Sequence, residues 1–388
     1  MVKRGKWGWG DFVKANQRIT NHRRSVNESS ISFSPFRGSG GKRIPNQRIN
    51  KSRITNQRMN ESTNGFLVIS LDFELLWGVF DKIEYKEKEI YFKNTRKVIP
   101  EILDMFSEFK IHSTWATVGM LFNKNWEEWR NNKPEILPNY KNTDLSAYDY
   151  GNSINSPKTE FLCFARDLIR KIQKTPHQEI GTHTYSHYYC LEEGQTLVSF
   201  KADLEKSIKL AKQMGIELKS LVFPRNQFNE DYLKVCYDLG IENVRSNPTD
   251  WYWKDTQNDS LKNKIFRTGD AYLGVNNKSY KLTDLKFENG KPLSQKASRL
   301  LRPYSSNKFL NNLKLKRIKS EMTAAAKNNE IYHLWWHPHN FGNNPVQNIA
   351  DLKEILNHFL GCKEKYGFQS ACMNEIGLLI ENIRIARI

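Results

Sequence analysis

The chain has 388 residues, 38% of them hydrophobic and 12% aromatic, which suffices for one large domain or two ordinary ones with a real core. Its net charge of +18 is unevenly spread: residues 1–63 hold 14 Lys and Arg against 3 Asp and Glu, so the rest is only mildly basic and not patterned as a nucleic-acid surface. Five scattered cysteines without a CxxC speak against a disulfide framework or a cysteine-zinc site, and no run approaches the ~18 apolar residues of a membrane helix.

Residues 1–63 are rich in Asn, Gln, Arg and Ser, and "NQR" recurs at 16–18, 46–48 and 56–58. No hydrophobic period of 3.6 or 2.0 survives there, so a disordered basic arm is expected. Met59 directly precedes the folded pattern, so residues 1–58 need not exist in the native protein. With no signal peptide at this N-terminus, the expected compartment is the cytoplasm, with at most a peripheral attachment to a membrane.

From residue 66 the chain alternates strand and helix patterns, the expected catalytic domain being 64–388. "FLVISLDF" (66–73) reads as a buried strand, 95–110 as an amphipathic helix and 111–119 as a second strand. Residues 123–158 read as a long surface insertion, followed by a helix at 160–173, a strand at 177–184 and a helix at 196–214. Next come a strand at 218–224, a helix at 230–240 stopped by Gly240, and a strand at 242–247. A second insertion is expected over 251–328, poorly patterned to about 305 and helical from 311. "EIYHLWWHPH" (330–339) is the last strand and 349–367 the last clear helix. Repeated βα units build a parallel sheet, open or closed into a barrel.

Polar oddities collect at the C-terminal ends of these strands, the rim where parallel α/β folds place their sites. Asp72 and Glu74 end the first strand, one residue apart, so strand periodicity turns both carboxylates to one face. Two like charges that close need a cation or a proton between them. "GTHTYSH" gives His183-x3-His187; at the start of a helix, positions i and i+4 share a face, so both imidazoles can reach one ion. Two histidines and one carboxylate leave an open position, as in hydrolytic zinc sites. Arg225 follows the fourth strand, Asp250 lies beyond the fifth, and His337 and His339 end the last.

"SLDFE", "THTYSH", "FPRNQ", "PTDWYW" and "HLWWHPH", in this order, resemble the five motifs of the polysaccharide deacetylase family, the NodB-like carbohydrate esterases, over about residues 64–340. That resemblance implies a distorted (β/α)7 barrel and metal-dependent removal of N- or O-acetyl groups from sugars. It further implies that Asp72 is the general base, Glu74, His183 and His187 hold the metal, and His337 is the catalytic acid with His339 a close rival. Arg225 would position the base and Asp250 would pair with Arg225, with Trp251 beside it at the substrate. Two departures stand out. Asp-x-Glu replaces the more usual adjacent Asp-Asp, which leaves open which acid binds metal. "PRNQ" lacks the tyrosine whose backbone N–H helps form the oxyanion site, so Asn226 or Gln227 would have to replace it.

The expected cofactor is one divalent ion, zinc first, with cobalt, nickel or iron also compatible with a His₂-carboxylate set. The expected partner is an acetylated glycan of a surface polysaccharide or its precursor. Two other readings remain open: a deformylase or other C–N hydrolase acting on a lipid-linked sugar or non-sugar amide, and an inactive sugar-binding protein.

Overall fold

The computed structural model describes residues 64–254, 256–257, 260–272 and 277–386; the arm expected over 1–63 lies outside them. The first strand, β1 (Phe66–Phe73), turns Leu67, Ile69, Leu71 and Phe73 toward a helical layer and Val68, Ser70 and Asp72 the other way. A strand buried on both faces reads as a near-continuous apolar run, which is why Ser70 and Asp72 stand out in it.

Successive units follow in chain order: α1 (Glu89–Phe109), β2 (Ser113–Thr117), α2 (Arg166–Lys174), β3 (Gln178–Thr182), α3 (Leu197–Gln213), β4 (Ser220–Val222), α4 (Leu233–Asp238) and β5 (Asn243–Ser246). Each strand pairs in parallel with the one before it. In α1, Phe92, Thr95, Ile99, Ile102, Phe106 and Phe109 recur at helical spacing and are buried against the sheet, with Phe106 edge-on to Trp115 of β2.

The ring closes through a segment without a clear sequence pattern. After β6 (Tyr280–Lys281), β7 (Leu293–Lys296) pairs with β5 and runs through Ala297 and Ser298 into β8 (Arg299–Leu300). There the chain changes neighbours: the Ala297 N–H donates to Ser246, whereas the Ser298 N–H donates to His333 of β9 (Glu330–Trp336). β8 pairs with β9, β9 with β1, and β6 lies antiparallel outside β9. Counting β7 and β8 as one stave, seven parallel staves close the distorted (β/α)7 barrel.

Outside β1 and β9 pack α5 (Lys308–Asn328) and α6 (Pro345–Tyr366), through Ile318, Met322, Ile355 and Phe359. β10 (Gln369–Ala371) then extends the sheet beside the start of β1, and α7 (Met373–Ile385) covers the N-terminal opening of the barrel. Met373, Ile376 and Ile380 fill that opening against Val68, Val222, Leu293 and Ile331. The last helix is therefore α7, beyond the one expected at 349–367.

The segment 123–158 is not simply surface. It forms two short helices, Trp126–Asn131 and Ala147–Ile154, and Trp126, Trp129 and Tyr148 are buried. Trp129 stacks at 6.3 Å on Trp77, which follows β1, so this excursion packs the loop that carries Glu74. All five cysteines are free and buried. Among the described residues no helix is long and apolar enough to cross a membrane.

Candidate metal centre

Glu74 is the first residue past β1, and the turn that follows, Leu75–Gly78, wraps around its side chain. Leu75 is forced to φ 45°. A Cβ on Gly78 would lie 1.9 Å from the Glu74 carboxyl carbon, so only glycine leaves room for this carboxylate.

The His183–His187 pair arrives on a loop rather than the expected helix. Thr184 and His187 both take positive φ, 60° and 57°, a backbone conformation that costs of order 1–3 kcal/mol per residue and needs support. Asp203 of α3 supplies much of it: its carboxylate accepts from the N–H groups of Tyr185 (2.6 Å) and Ser186 (3.1 Å) and from the Ser186 hydroxyl (2.5 Å). Gly119 and Met120 donate to the Thr184 and Tyr185 carbonyls, tying the loop to the end of β2.

The result is convergence. Glu74 Oε2 lies 3.3 Å from His183 Nε2 and 3.1 Å from His187 Nε2, all three residues being buried. Their ligand atoms all fall within 4.8 Å of one another. His183 Nδ1 stands 2.8 Å from the Val222 carbonyl, which can only accept, so Nδ1 carries the proton and Nε2 a lone pair. Glu74 Oε2 and His183 Nε2 have no hydrogen-bond partner although both are buried. Two acceptor lone pairs facing each other in a dry interior repel unless a cation lies between them. Ligands about 2.0–2.1 Å from a tetrahedral ion stand roughly 3.3 Å apart, so the donor set fits a divalent metal in both chemistry and spacing. On the far side, His187 Nδ1 meets the Tyr189 hydroxyl at 3.2 Å.

Burial alone would push the Glu74 carboxyl up; opposing charge, led by the nearby His337, outweighs it and holds the carboxyl well below the usual range. Burial pushes His187 and His339 down to about 4, which keeps them neutral and their lone pairs free at neutral pH. His339, buried, has Nδ1 3.6 Å from Glu74 Oε1. His337 is more open, with 26% of its side chain exposed, and its Nε2 lies 3.6 Å from Asp72 and 3.7 Å from Glu74.

Asp72 points into the barrel one residue before Glu74's neighbour Phe73, and its cationic partner differs from the expected one. Arg245 of β5, not Arg225, grips it bidentately, Nη1 to Oδ1 at 2.7 Å and Nη2 to Oδ2 at 2.8 Å. Burial works against the Asp72 carboxylate, but the Arg245 charge prevails and its pKa is lowered. Arg245 also donates to Ser70 (2.9 Å) and Asn226 (3.0 Å) and lies over Trp335 at 4.3 Å. Behind Ser70 stands a further buried histidine, His333, whose Nε2 is 2.9 Å from the serine hydroxyl.

The expected Arg225–Asp250 pair does not form. Arg225 pairs with Asp81 at 2.5 Å and covers the ring of Tyr189 at 4.4 Å, while Asp250 pairs with Lys278 at 2.7 Å. The motif arginine sits on a left-handed turn, φ 54° at Arg225 and 53° at Asn226, which sends its side chain toward Tyr189. The N–H groups of Asn226 and Gln227 donate to the carbonyls of Phe223 and Pro224, so neither is free as an oxyanion donor. Trp251 is exposed, edge-on to Tyr252 and Phe266. Sequence reasoning passed over Arg245 and Asp203, yet both carried a signal: a charge inside a buried strand and an acid on the apolar face of a helix.

The family model for polysaccharide deacetylase matches residues 77–244. The match spans His183, His187 and Arg225; Asp72, Glu74, Arg245 and His337 lie outside it. A sequence search of curated proteins finds no match. Among solved structures, a Mycobacterium smegmatis protein assigned to the polysaccharide deacetylases is similar at 14% identity and a TM-score of 0.51, covering 83% of this chain and 92% of its own. A Pseudomonas aeruginosa PAO1 protein with the same assignment gives 10% identity and 0.48, covering 80% and 88%. A Bacillus anthracis pseudoenzyme of the CE4 family gives 11% and 0.36, covering 81% and 66%. At such identities the first of these similarities speaks to fold alone, and the other two carry no weight. Over residues 77–244, then, the chain is similar to the polysaccharide deacetylase family.

Proposed function

We propose that the protein is a metal-dependent hydrolase that removes acetyl groups, from nitrogen or oxygen, on a sugar of a surface polysaccharide or its precursor. The observation that carries this reading is the convergence of Glu74, His183 and His187 beneath a solvent-reachable His337. The similarity of residues 77–244 to the polysaccharide deacetylase family supports the substrate class. A divalent ion held by the three, zinc with cobalt, nickel or iron as alternatives, would supply Lewis acidity to polarise the acetyl carbonyl.

The chain's own groups then divide the proton work. Asp72 stays ionised through its pairing with Arg245, so it can accept a proton from an attacking water, and the bidentate grip fixes the direction in which it does so. An amine departs only when protonated, and His337 is the accessible imidazole at the mouth that can deliver that proton. His339 is too buried to meet a substrate and instead backs Glu74. Trp251, exposed at the rim, offers a ring face to a sugar.

The test is acetate release from N-acetylated oligosaccharides by zinc-loaded protein. D72N and H337A should each lose roughly 10²–10⁴ in kcat while keeping the metal. Formate release in place of acetate would favour a deformylase, and bound metal with no hydrolysis of any glycan or simple amide would overturn the proposal.

A further inference from the structure

Several buried cations among the described residues near the barrel mouth are matched by carboxylates, and Arg302 stands apart from them. Arg245 is matched by Asp72, Arg299 by Glu321 at 2.5 Å, Lys278 by Asp250 and Asp270, and Lys314 by Asp351. Arg302, two residues beyond β8, makes no direct ion pair among the described residues, and Asp270, whose charge reaches it, is bonded to Lys278 and Arg299 instead. Its Nη2 reaches only the Arg267 carbonyl at 3.3 Å and the Thr268 hydroxyl at 3.5 Å, both long. Its Nε is buried without any acceptor. An arginine costs free energy to bury unpaired, and burial indeed presses its pKa down from the ordinary value.

The guanidinium lines a narrow crevice together with Trp253, Arg267, Asp270, Arg299 and Trp335, in which the one carboxylate, Asp270, is already held by Lys278 and Arg299. The space admits little more than one water-sized group, so a sugar ring cannot enter but a terminal oxygen of an anion can. The crevice is one indole away from the chemistry: Trp335, which forms its wall, has its ring centroid 5.7 Å from that of His337.

Resting on the reading of the site given above, we propose that Arg302 is a subsite for an oxyanion of the substrate, so that the glycan acted on is acidic, bearing a phosphate or a uronate close to the acetylated sugar. A planar guanidinium offers Nε–H and Nη–H as a fork to two oxygens of such a group, which an ammonium cannot do. The anion supplies the acceptor that Nε lacks and a direct ion-pair partner for the guanidinium.

Isothermal titration of the full chain, with metal removed by chelation so that the anion cannot ligate it, tests this without requiring turnover. The probes are N-acetylglucosamine, its 1-phosphate, and a disaccharide of N-acetylglucosamine and glucuronate. At least one oxyanion probe should bind about tenfold to a hundredfold more tightly than the neutral sugar, the worth of one or two charge-assisted bonds. Whether phosphate, uronate or both gain identifies the source of the anion. R302M should erase the preference and R302K, which keeps the charge but not the fork, should retain part of it. Equal affinities for all three probes, no binding of any, or a preference that survives in a folded R302M would overturn the subsite. Acetate release by the metal-loaded protein is scored separately, so loss of the hydrolase reading and loss of this one are distinguishable.

Discussion

Replacing Arg245 by methionine separates the observed base-holding arginine from the one the motif suggested. The wild-type side chains of Arg245 and Asp72 are 1% and 2% exposed and share bonds of 2.7 and 2.8 Å. Removing one partner of such a pair leaves an uncompensated buried charge and costs about 3–5 kcal/mol. The cost should depend on pH, with a definite sign. In the wild type the Asp72 carboxyl is depressed, so it contributes stability above its unfolded value and loses it as pH falls. In R245M burial acts without its main opponent, the carboxyl moves above its ordinary value, and stability is lost as pH rises instead. The gap between the two proteins should therefore widen from about pH 4 to about pH 8. Urea unfolding of chelated protein across that range measures it. A gap below about 1 kcal/mol, or one that stays flat with pH, would show that Arg245 and Asp72 are not coupled as the structure has them. Combining R225M with R245M is the control: Asp72 has no bond to Arg225, which pairs with Asp81, so R225M should add its own cost without changing the R245M signature.

Three further outcomes follow from the same geometry. E74A and H183A should each reduce zinc or cobalt affinity at least a hundredfold, read by competition with a coloured chelator; unchanged stoichiometry and affinity would remove them from the ligand set. G78A should weaken metal binding about tenfold or more although Gly78 is no ligand, because its new Cβ occupies the space of the Glu74 carboxyl; wild-type affinity would contradict that packing. His333 is pushed down to about 3, first by burial and then by the Arg245 charge, against an ordinary 6.5. A depressed histidine contributes stability above its unfolded value and loses it as pH falls, here about 2 kcal/mol between pH 7 and pH 5. H333Q should flatten that part of the stability–pH curve, and an unchanged slope would show that another group causes it.

Much of the site was legible because it sits on strands with strong patterns. Asp72, Glu74 and His337 end apolar runs, and polar residues there break the expectation of a buried strand. The histidine pair was legible as a pair but not in its geometry: the i, i+4 helix argument gave proximity for the wrong reason, since left-handed residues at 184 and 187 do the turning. β7 and β8 escaped notice because "LSQKASRL" places Gln295 and Arg299 where apolar residues mark a strand, and because the stave breaks at Ala297 to change partners. The segment 123–158 looked like a surface insertion, since nothing local announces the Trp77 ring that its tryptophans pack against.

Local order, β7 and β8 apart, was set by the chain's own periodicities: which segments are strands, where each ends, and which acids and imidazoles stand at those ends. Those properties depend on neighbours a few positions away, so they can be read in one dimension. Partnership could not. Arg245 meets Asp72 across 173 positions, and Arg225 turns instead to Asp81, only because seven staves close into a ring and a strained turn redirects one side chain. Electrostatic pairing in a buried site is decided by distances of a few ångströms between distant segments, and ring closure alone sets those distances.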